Sequence, residues 1–366
     1  MASNKGYGRE VYLEAYKRLG SMRAVAREFG VHKSTVQKAL RDIDPAVRQG
    51  MDSLGMQAQP GIAWIKTKPT DEQPGYSFMV KVGQEEVDVL DRIREAFEDL
   101  KPAELTPAPA YVDEDLLTVY PLADVHIGMQ AWGREAGEDY DTDIAAARVR
   151  SWLGMCINSS PDAHTAVIVD VGDLTHADDQ TNATPRSKHV LDVDTRFYRT
   201  IDITVETLGA SVDLALQKHA SVIVKILPGN HNPHSYLAIL FALAQRYRNE
   251  PRVTVEKEPG EFWIHEHGRV MLAAHHGDKA KADRMVHYLA DQYAEMWGRT
   301  KHRYLFTGHL HHHKSQDIGG VQWEQLRAIT ARDAYAASHA YTARAQMQAI
   351  TYHRERGEIQ RVKVGL

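Results

Sequence analysis

Ile226-Leu227-Pro228-Gly229-Asn230-His231 is the point where a β-branched run, Val222-Ile223-Val224, gives way to a glycine and two side chains able to hold a metal or a proton. A buried strand that ends in polar chemistry is the pattern, and it recurs. Leu117 to Leu122 runs into Asp124-Val125-His126, and Ala166 to Val171 runs into Gly172-Asp173. Val270 to Ala274 leads to His275-His276-Gly277-Asp278, and Tyr304 to Thr307 leads to Gly308-His309-Leu310-His311. In open α/β sheets, ligands gather beyond the carboxyl ends of strands, so five strand ends bearing Asp, Asn and His predict one shared site. Helical periodicity in Ile144 to Trp152, Thr195 to Leu214 and Tyr236 to Arg246 separates these strands, giving an α/β layer pattern from Tyr111 onward.

At 366 residues and 43% hydrophobic, the chain can bury a full core and has room for a large domain and a smaller one. A single cysteine, Cys156, excludes an internal disulfide framework and Cys-rich zinc knuckles, which fits a reducing cytoplasm. Any metal must therefore be held by nitrogen and oxygen. No run approaches a membrane span, and Met-Ala-Ser-Asn-Lys-Gly lacks the apolar core of a signal peptide, so a soluble, cytoplasmic protein is expected.

Charge is unevenly spread. Residues 1 to 50 hold ten basic and five acidic side chains, leaving +5 there and −10 in the remainder of a chain whose total is −5. A basic head on an acidic body predicts an anionic partner for the head. Val11, Ala15 and Leu19 mark the inner face of a first helix, and Val25, Ala26 and Phe29 that of a second, which Gly30 ends in the left-handed conformation. Ser34, with Gln37 three residues on, reads as a capping box opening a third helix with Val36 and Leu40 inward. The stretch from Gly20 to Leu40 resembles a helix-turn-helix unit of the kind found in transposases and phage regulators. That resemblance implies major-groove contact by the last helix, with Lys33, Ser34, Thr35, Lys38 and Arg41 facing DNA. A small helical docking module is the alternative.

From Asp44-Pro45 the periodicity fades. Tyr76, Phe78, Val80 and Val82 alternate as a strand with Trp64-Ile65 as its partner, and Val87, Leu90, Ile93, Phe97 and Leu100 recur at helical spacing. The Pro-rich piece 101–109 reads as a stiff linker. The expected organisation is a head of residues 1–48, a connector of 49–110 and an α/β domain of 111–366.

The strand-end motifs, in the order Asp-x-His, Gly-Asp, Gly-Asn-His, His-Gly and Gly-His-x-His, closely resemble those of the calcineurin-like metallophosphoesterase superfamily. The resemblance spans residues 111 to 330. It implies a four-layer α/β/β/α sandwich, here with a small all-α head, and a site for two divalent ions. Matched motif to motif, Asp124, His126, Asp173 and His311 would hold one ion. Asp173, Asn230, His309 and a histidine of the His275-His276 pair would hold the other, with Asp173 bridging. His276 precedes Gly277-Asp278 as in His-Gly-Asp members, whereas His275 fits a His-x-Gly pattern; the analogy favours His276 and leaves both open. Imidazole and carboxylate ligands without thiolate suit Mn, Fe or Zn, and Mn is favoured. His231 in this family faces the phosphate rather than the metal, where an imidazole can stabilise charge or protonate the leaving oxygen. Asp170 or a nearby carboxylate would orient it.

Departures from the family narrow the substrate. Protein serine/threonine phosphatases carry Gly-Asp-x-Val-Asp-Arg-Gly and a glutamate after Gly-Asn-His; this chain has Gly172-Asp173-Leu174-Thr175-His176 and Asn232. Gly-Asp-Leu-Thr-His instead resembles the Gly-Asp-Leu-Phe-His motif of DNA double-strand-break repair nucleases, which adds His176 as a second substrate-side histidine. Those nucleases work with an ATPase partner and often as dimers. Together with the head, this points to a DNA nuclease of phage-like architecture. The alternatives are a phosphoesterase for small diesters or monoesters, and a DNA-binding regulator with a vestigial phosphoesterase domain. Beyond Thr330, the row Arg332, Tyr335, Tyr341 and Arg344 would suit either a nucleic-acid path or a solvated tail. Alternation from Gln348 and from Ile359 suggests strands closing the second sheet.

Overall fold

A computed structural model describes residues 9–19, 21–41, 63–66, 77–80 and 102–365. The chain divides into two compact units, residues 1–96 and 97–366, a division that falls inside the expected connector.

In the first unit, α1 (Arg9–Leu19), α2 (Met22–Phe29) and α3 (Lys33–Arg41) share a core of Tyr12, Ala15, Val25, Ala26 and Val36. Ser21 starts α2 by accepting the Ala24 N–H at 3.5 Å, and Gly30, at φ 63°, stops it. Two local expectations need correction. The inner stripe of α1 is Tyr12, Ala15, Tyr16 and Leu19, while Val11, one position round the helix, is exposed. Ser34 lies inside α3 rather than at its cap: His32 takes that place, its Nδ1 accepting the Ser34 N–H at 3.3 Å and meeting Ser34 Oγ at 2.8 Å. Separately, β1 (Ala63–Lys66) pairs antiparallel with β2 (Ser77–Val80), Trp64 opposite Met79. The helix expected over 87–100 lies outside the described residues.

The described part of the second unit starts at residues 102–109, which are bonded to the α/β domain: Ala103 N–H donates to Arg246 O at 2.7 Å, and Arg252 Nη2 donates to Thr106 O at 2.6 Å. There follow β3 (Asp113–Leu122), α4 (Gly133–Ala136), α5 (Thr142–Ser159), β4 (Ala163–Asp170), α6 (Phe197–Leu216), β5 (Ser221–Ile226), α7 (Tyr236–Arg246) and β6 (Val253–Val255). Then come β7 (Phe262–His267), β8 (Val270–His275), α8 (Ala282–Gln292), α9 (Ala294–Arg299), β9 (His302–Thr307), β10 (Lys314–Ile318), β11 (Val321–Gln325), α10 (Ala334–Ser338), β12 (Gln346–His353) and β13 (Gly357–Gly365). Two sheets result, ordered β13-β12-β3-β4-β5-β6 and β10-β11-β9-β8-β7. The last two strands extend the first sheet, not the second, because β12 pairs antiparallel with β3.

Period-two alternation builds four layers. Leu117, Val119, Val167, Val169, Leu272, Ala274, Tyr304 and Phe306 fill the space between the sheets. Tyr120, Leu122, Ile168 and Val224 point the other way onto α5, α6 and α7, through Leu153, Leu208 and Leu243. Met271, Ala273 and Leu305 pack on α8 through Met285 and Leu289. The protein is thus an α/β/β/α sandwich. Among the described residues no helix is long and apolar enough to cross a membrane.

Register decides where the site falls. In the parallel part of the first sheet Leu122 lies beside Asp170, and Asp170 beside Ile226, so β3, β4 and β5 end level with one another. In the second sheet His275 pairs with Thr307. The loops that leave these five strands meet across the gap between sheets.

Candidate metal centre

Backbone conformation sets the site before any side chain is considered. Asp124, His126, Asp173, His309 and His311 all adopt positive φ, from 48° to 72°, a region that costs a non-glycine residue roughly 1–3 kcal/mol. Such strain concentrated on five polar residues is held by packing around them, and three glycines make that packing close. A Cβ on Gly229 would stand 2.0 Å from Asp173 Oδ1, one on Gly308 2.5 Å from Asp124 Oδ2, and one on Gly172 2.5 Å from His276 Nδ1. Asn232 ties two of the loops together: its Oδ1 accepts the N–H of Asp173 at 3.2 Å and of Gly229 at 3.1 Å.

Three groups of nitrogen and oxygen donors converge, each with its atoms within 4.8 Å of one another: Asp124, His126 and His311; Asp173, His276 and His309; and His126, His176 and His231. His311 Nε2 lies 3.4 Å from Asp124 Oδ1 and 3.3 Å from His126 Nε2. Asp173 Oδ2 stands between the groups, 3.2 Å from His276 Nε2 and 3.9 Å from His126 Nε2. Asn230 Oδ1 meets His276 Nε2 at 3.0 Å, and His276 Nδ1 donates to Val171 O at 3.0 Å. The His309 N–H donates to both oxygens of Asp124 at 3.0 Å, which fixes that carboxylate.

Electrostatics match this arrangement. Burial works against charge on both Asp173 and His276, but their mutual attraction wins: the Asp173 carboxyl is held well below its usual range. The His276 imidazole is pushed up to about 10, with Asp124 adding to the effect. Burial, reinforced by the charge of His231, holds His126 and His176 well below the usual histidine range, so both rings are neutral with lone pairs available. His309 is lowered by burial and by the neighbouring His276.

The structure brings Asp124, His126, Asp173, Asn230, His276, His309 and His311 together, with His176 and His231 beside them. His275 is not among them. As the last residue of β8 it turns to the helix side, where its ring contacts Phe262 at 4.6 Å, its Nδ1 accepts the Gly277 N–H at 2.9 Å, and its Nε2 lies 3.6 Å from Glu261. His276, one residue beyond the strand, faces the cluster. His312 and His313 are exposed, and His313 Nε2 lies 3.3 Å from Glu324.

His231 and His176 stack at 5.1 Å between ring centres and 24° between planes. His231 Nδ1 donates to the His176 carbonyl at 2.8 Å, so that carbonyl orients His231, and not Asp170. Asp170 lies behind the cluster, where burial raises its carboxyl well above the usual range and Oδ1 accepts the Gly172 N–H at 3.2 Å. Sequence reasoning missed the tying role of Asn232 and the three contact glycines. Their signal is the glycine directly preceding Asp173, Asn230 and His309.

Of the residues expected to face DNA, Ser34 is exposed while Lys33 and Thr35 are half-buried on α3. The side chains of Lys38 and Arg41 lie outside the described residues.

A divalent cation fits this donor set. Ring nitrogens face one another at 3.2 Å (His126 Nδ1 to His176 Nδ1) and 3.3 Å (His126 Nε2 to His311 Nε2), beside two carboxylates and no thiolate. Buried polar atoms need partners, and imidazole nitrogens with carboxylates are the donors that Mn, Fe or Zn accept, the ion displacing any proton they carry.

No protein-family model and no curated relative matches the sequence. Solved structures similar to it include a Streptococcus pneumoniae protein described as a predicted phosphoesterase, 11% identical, covering 69% of this chain and 98% of that one at a TM-score of 0.30. A novel archaeal phosphodiesterase is 10% identical over 68% of this chain and 99% of that one, TM-score 0.35. A dimetal phosphatase from Danio rerio is 9% identical over 68% and 98%, TM-score 0.34.

Proposed function

We propose that the chain is a calcineurin-like, two-metal phosphodiesterase that hydrolyses DNA. In this reading residues 111–366 form the catalytic domain, and residues 1–48 form a helix-turn-helix head that binds the same substrate. The observation that carries it is the pair of donor groups, Asp124/His126/His311 and Asp173/His276/His309, facing each other across Asp173. Asp124, His126, Asp173 and His311 would hold one divalent ion, and Asp173, Asn230, His276 and His309 the other, manganese being favoured over iron or zinc. Two bound cations would acidify water and neutralise the charge of an in-line phosphoryl displacement.

The remaining work belongs to the chain. Asp173, anchored by the His231 N–H on Oδ1 at 2.8 Å, presents Oδ2 to both groups. His231, fixed by the His176 carbonyl, keeps its Nε2 for substrate, as acceptor when neutral and as proton donor to the leaving oxygen when charged. His176, neutral and stacked on it, adds a ring edge on the substrate side. The basic head raises the local concentration of DNA by about 10²-fold where both modules engage one strand.

Incubating the full chain with Mn and end-labelled single- and double-stranded DNA tests this. Cleavage is expected, and it disappears in Asp173→Asn, whose side chain still tolerates the left-handed backbone. His231→Ala should keep its metal and lose most turnover. A protein that cleaves only small aryl phosphoesters, or binds no metal at all, overturns the nuclease reading.

A further inference from the structure

Four exposed rings form a connected row that the catalytic reading leaves without a task. His189 meets Tyr335 at 5.5 Å and 70°, Tyr335 meets His339 at 4.1 Å and 32°, and His339 meets Tyr341 at 5.9 Å and 32°. Tyr335 is 49% and Tyr341 55% exposed. The short helix α10, which carries Tyr335, buries none of its residues, so these rings contribute no core.

The row is nevertheless held in shape. Asp333 caps α10 by accepting the Ala336 N–H at 2.7 Å, the Tyr341 N–H returns to Ala336 O at 3.0 Å, and Arg332 Nη1 donates to Tyr341 O at 3.2 Å. His189 lies at the base of a short loop, next to the Ala183–Val190 bridge that closes it, its own N–H donating to Thr184 Oγ1 at 3.0 Å. Exposed Arg186 and Lys188 flank it.

Both supports spring from the metal centre. The segment leading to α10 passes Asp124, whose carbonyl accepts the Thr330 N–H at 3.2 Å. The base of the short loop is bonded to the loop that follows His126, through Gln130 N–H on Asp192 O at 2.9 Å.

Building on the phosphodiesterase reading of that centre, we infer that His189, Tyr335, His339 and Tyr341 form a stacking subsite for unpaired nucleobases of the strand whose phosphate is cleaved. Every base offers a π-face, so such a row holds a strand without reading its sequence, and flanking cations follow its phosphates. A pre-organised row also loses little freedom on binding. The substrate so selected is a single strand or a frayed end rather than an intact duplex, whose bases are already stacked.

The test is fluorescence anisotropy of the full chain, in EDTA to prevent turnover, with a labelled hexathymidylate and with an abasic hexamer carrying the same phosphates. Wild type should bind the thymidylate more tightly. Tyr335→Ala and Tyr341→Ala should each weaken it by about 5- to 150-fold, the range that ring-on-base stacking supplies, with the abasic oligomer unaffected. Tyr335→Phe, which keeps the ring, should restore binding. Equal affinity for both oligomers in wild type, or an undiminished preference in Tyr335→Ala, overturns the inference. Base-dependent binding without any phosphodiester hydrolysis would support the subsite and defeat only the catalytic reading, while hydrolysis without base dependence would do the reverse.

Discussion

Gly229→Ala probes how tightly the strand-end loops must pack to present Asp173. The added methyl would lie 2.0 Å from Asp173 Oδ1 and 2.3 Å from its backbone nitrogen. Since non-bonded carbon contacts settle at about 3.5–4.0 Å, the intrusion exceeds about 1 Å on two atoms at once. The carboxylate could swing away. The nitrogen cannot, because it donates to Asn232 Oδ1 at 3.2 Å and belongs to a residue at φ 58°. Overpacking of this kind costs about 1–3 kcal/mol, which at about 2–4 °C per kcal/mol lowers the Tm of a domain this size by roughly 2–12 °C. More tellingly, relief of the clash moves the one residue shared between the donor groups, so bound metal should be lost as well. Calorimetry and metal analysis on the same preparation measure both effects. Gly298→Ala is the control: it lies in helix α9 with nothing within 4 Å of its added Cβ, and should gain about 0.5–1 kcal/mol. A Gly229→Ala protein with wild-type Tm and a full metal complement would refute the packing argument.

His276→Ala, which leaves the Asp173 carboxylate buried without its partner, should cost about 3–5 kcal/mol in the metal-free protein and reduce bound metal, whereas His275→Ala should leave the metal content unchanged; elemental analysis separates the two. The raised His276 pKa also sets a pH dependence. Its contribution to metal-free stability is complete below about pH 6.5 and fades as pH rises toward about 10, so Tm should fall over that window and the slope should vanish in His276→Asn. Metal affinity runs the opposite way, rising with pH because the ion must displace that proton, as isothermal titration in two buffers would register. Tyr12→Ala, which empties the centre of the three-helix core and its edge-on contact with Phe29 at 5.3 Å, should cost about 3–5 kcal/mol locally and abolish duplex binding in a gel-shift assay with the metal content intact.

The α/β layer pattern was legible because strand and helix periods alternate from Tyr111 onward, whereas the four-layer sandwich was implied only by the resemblance of the five strand-end motifs to a known family. What sequence could not express was direction. Val270 to Ala274 is apolar at every position, since β8 is buried on both faces, and nothing in it tells which of His275 and His276 continues the strand. Nor does Asn232 announce itself: its role depends on Gly172-Asp173 and Gly229 lying side by side, which follows from the register of β4 with β5. Sequence offered Asp170 or a nearby carboxylate to orient His231, yet a backbone carbonyl does that job. In the head, Val11 and Tyr12 are both apolar enough to face inward, and ring packing against Phe29 selects the second. Ser34 satisfied a capping pattern, but His32 already meets the need two residues earlier.

The most direct test of the two-ion centre is anomalous diffraction from crystals soaked in manganese. Two peaks about 3.5–4 Å apart are expected, one against Asp124, His126 and His311, the other against His276, His309 and Asn230, with Asp173 touching both. A single peak, or density on His275 and Glu261, would contradict the account.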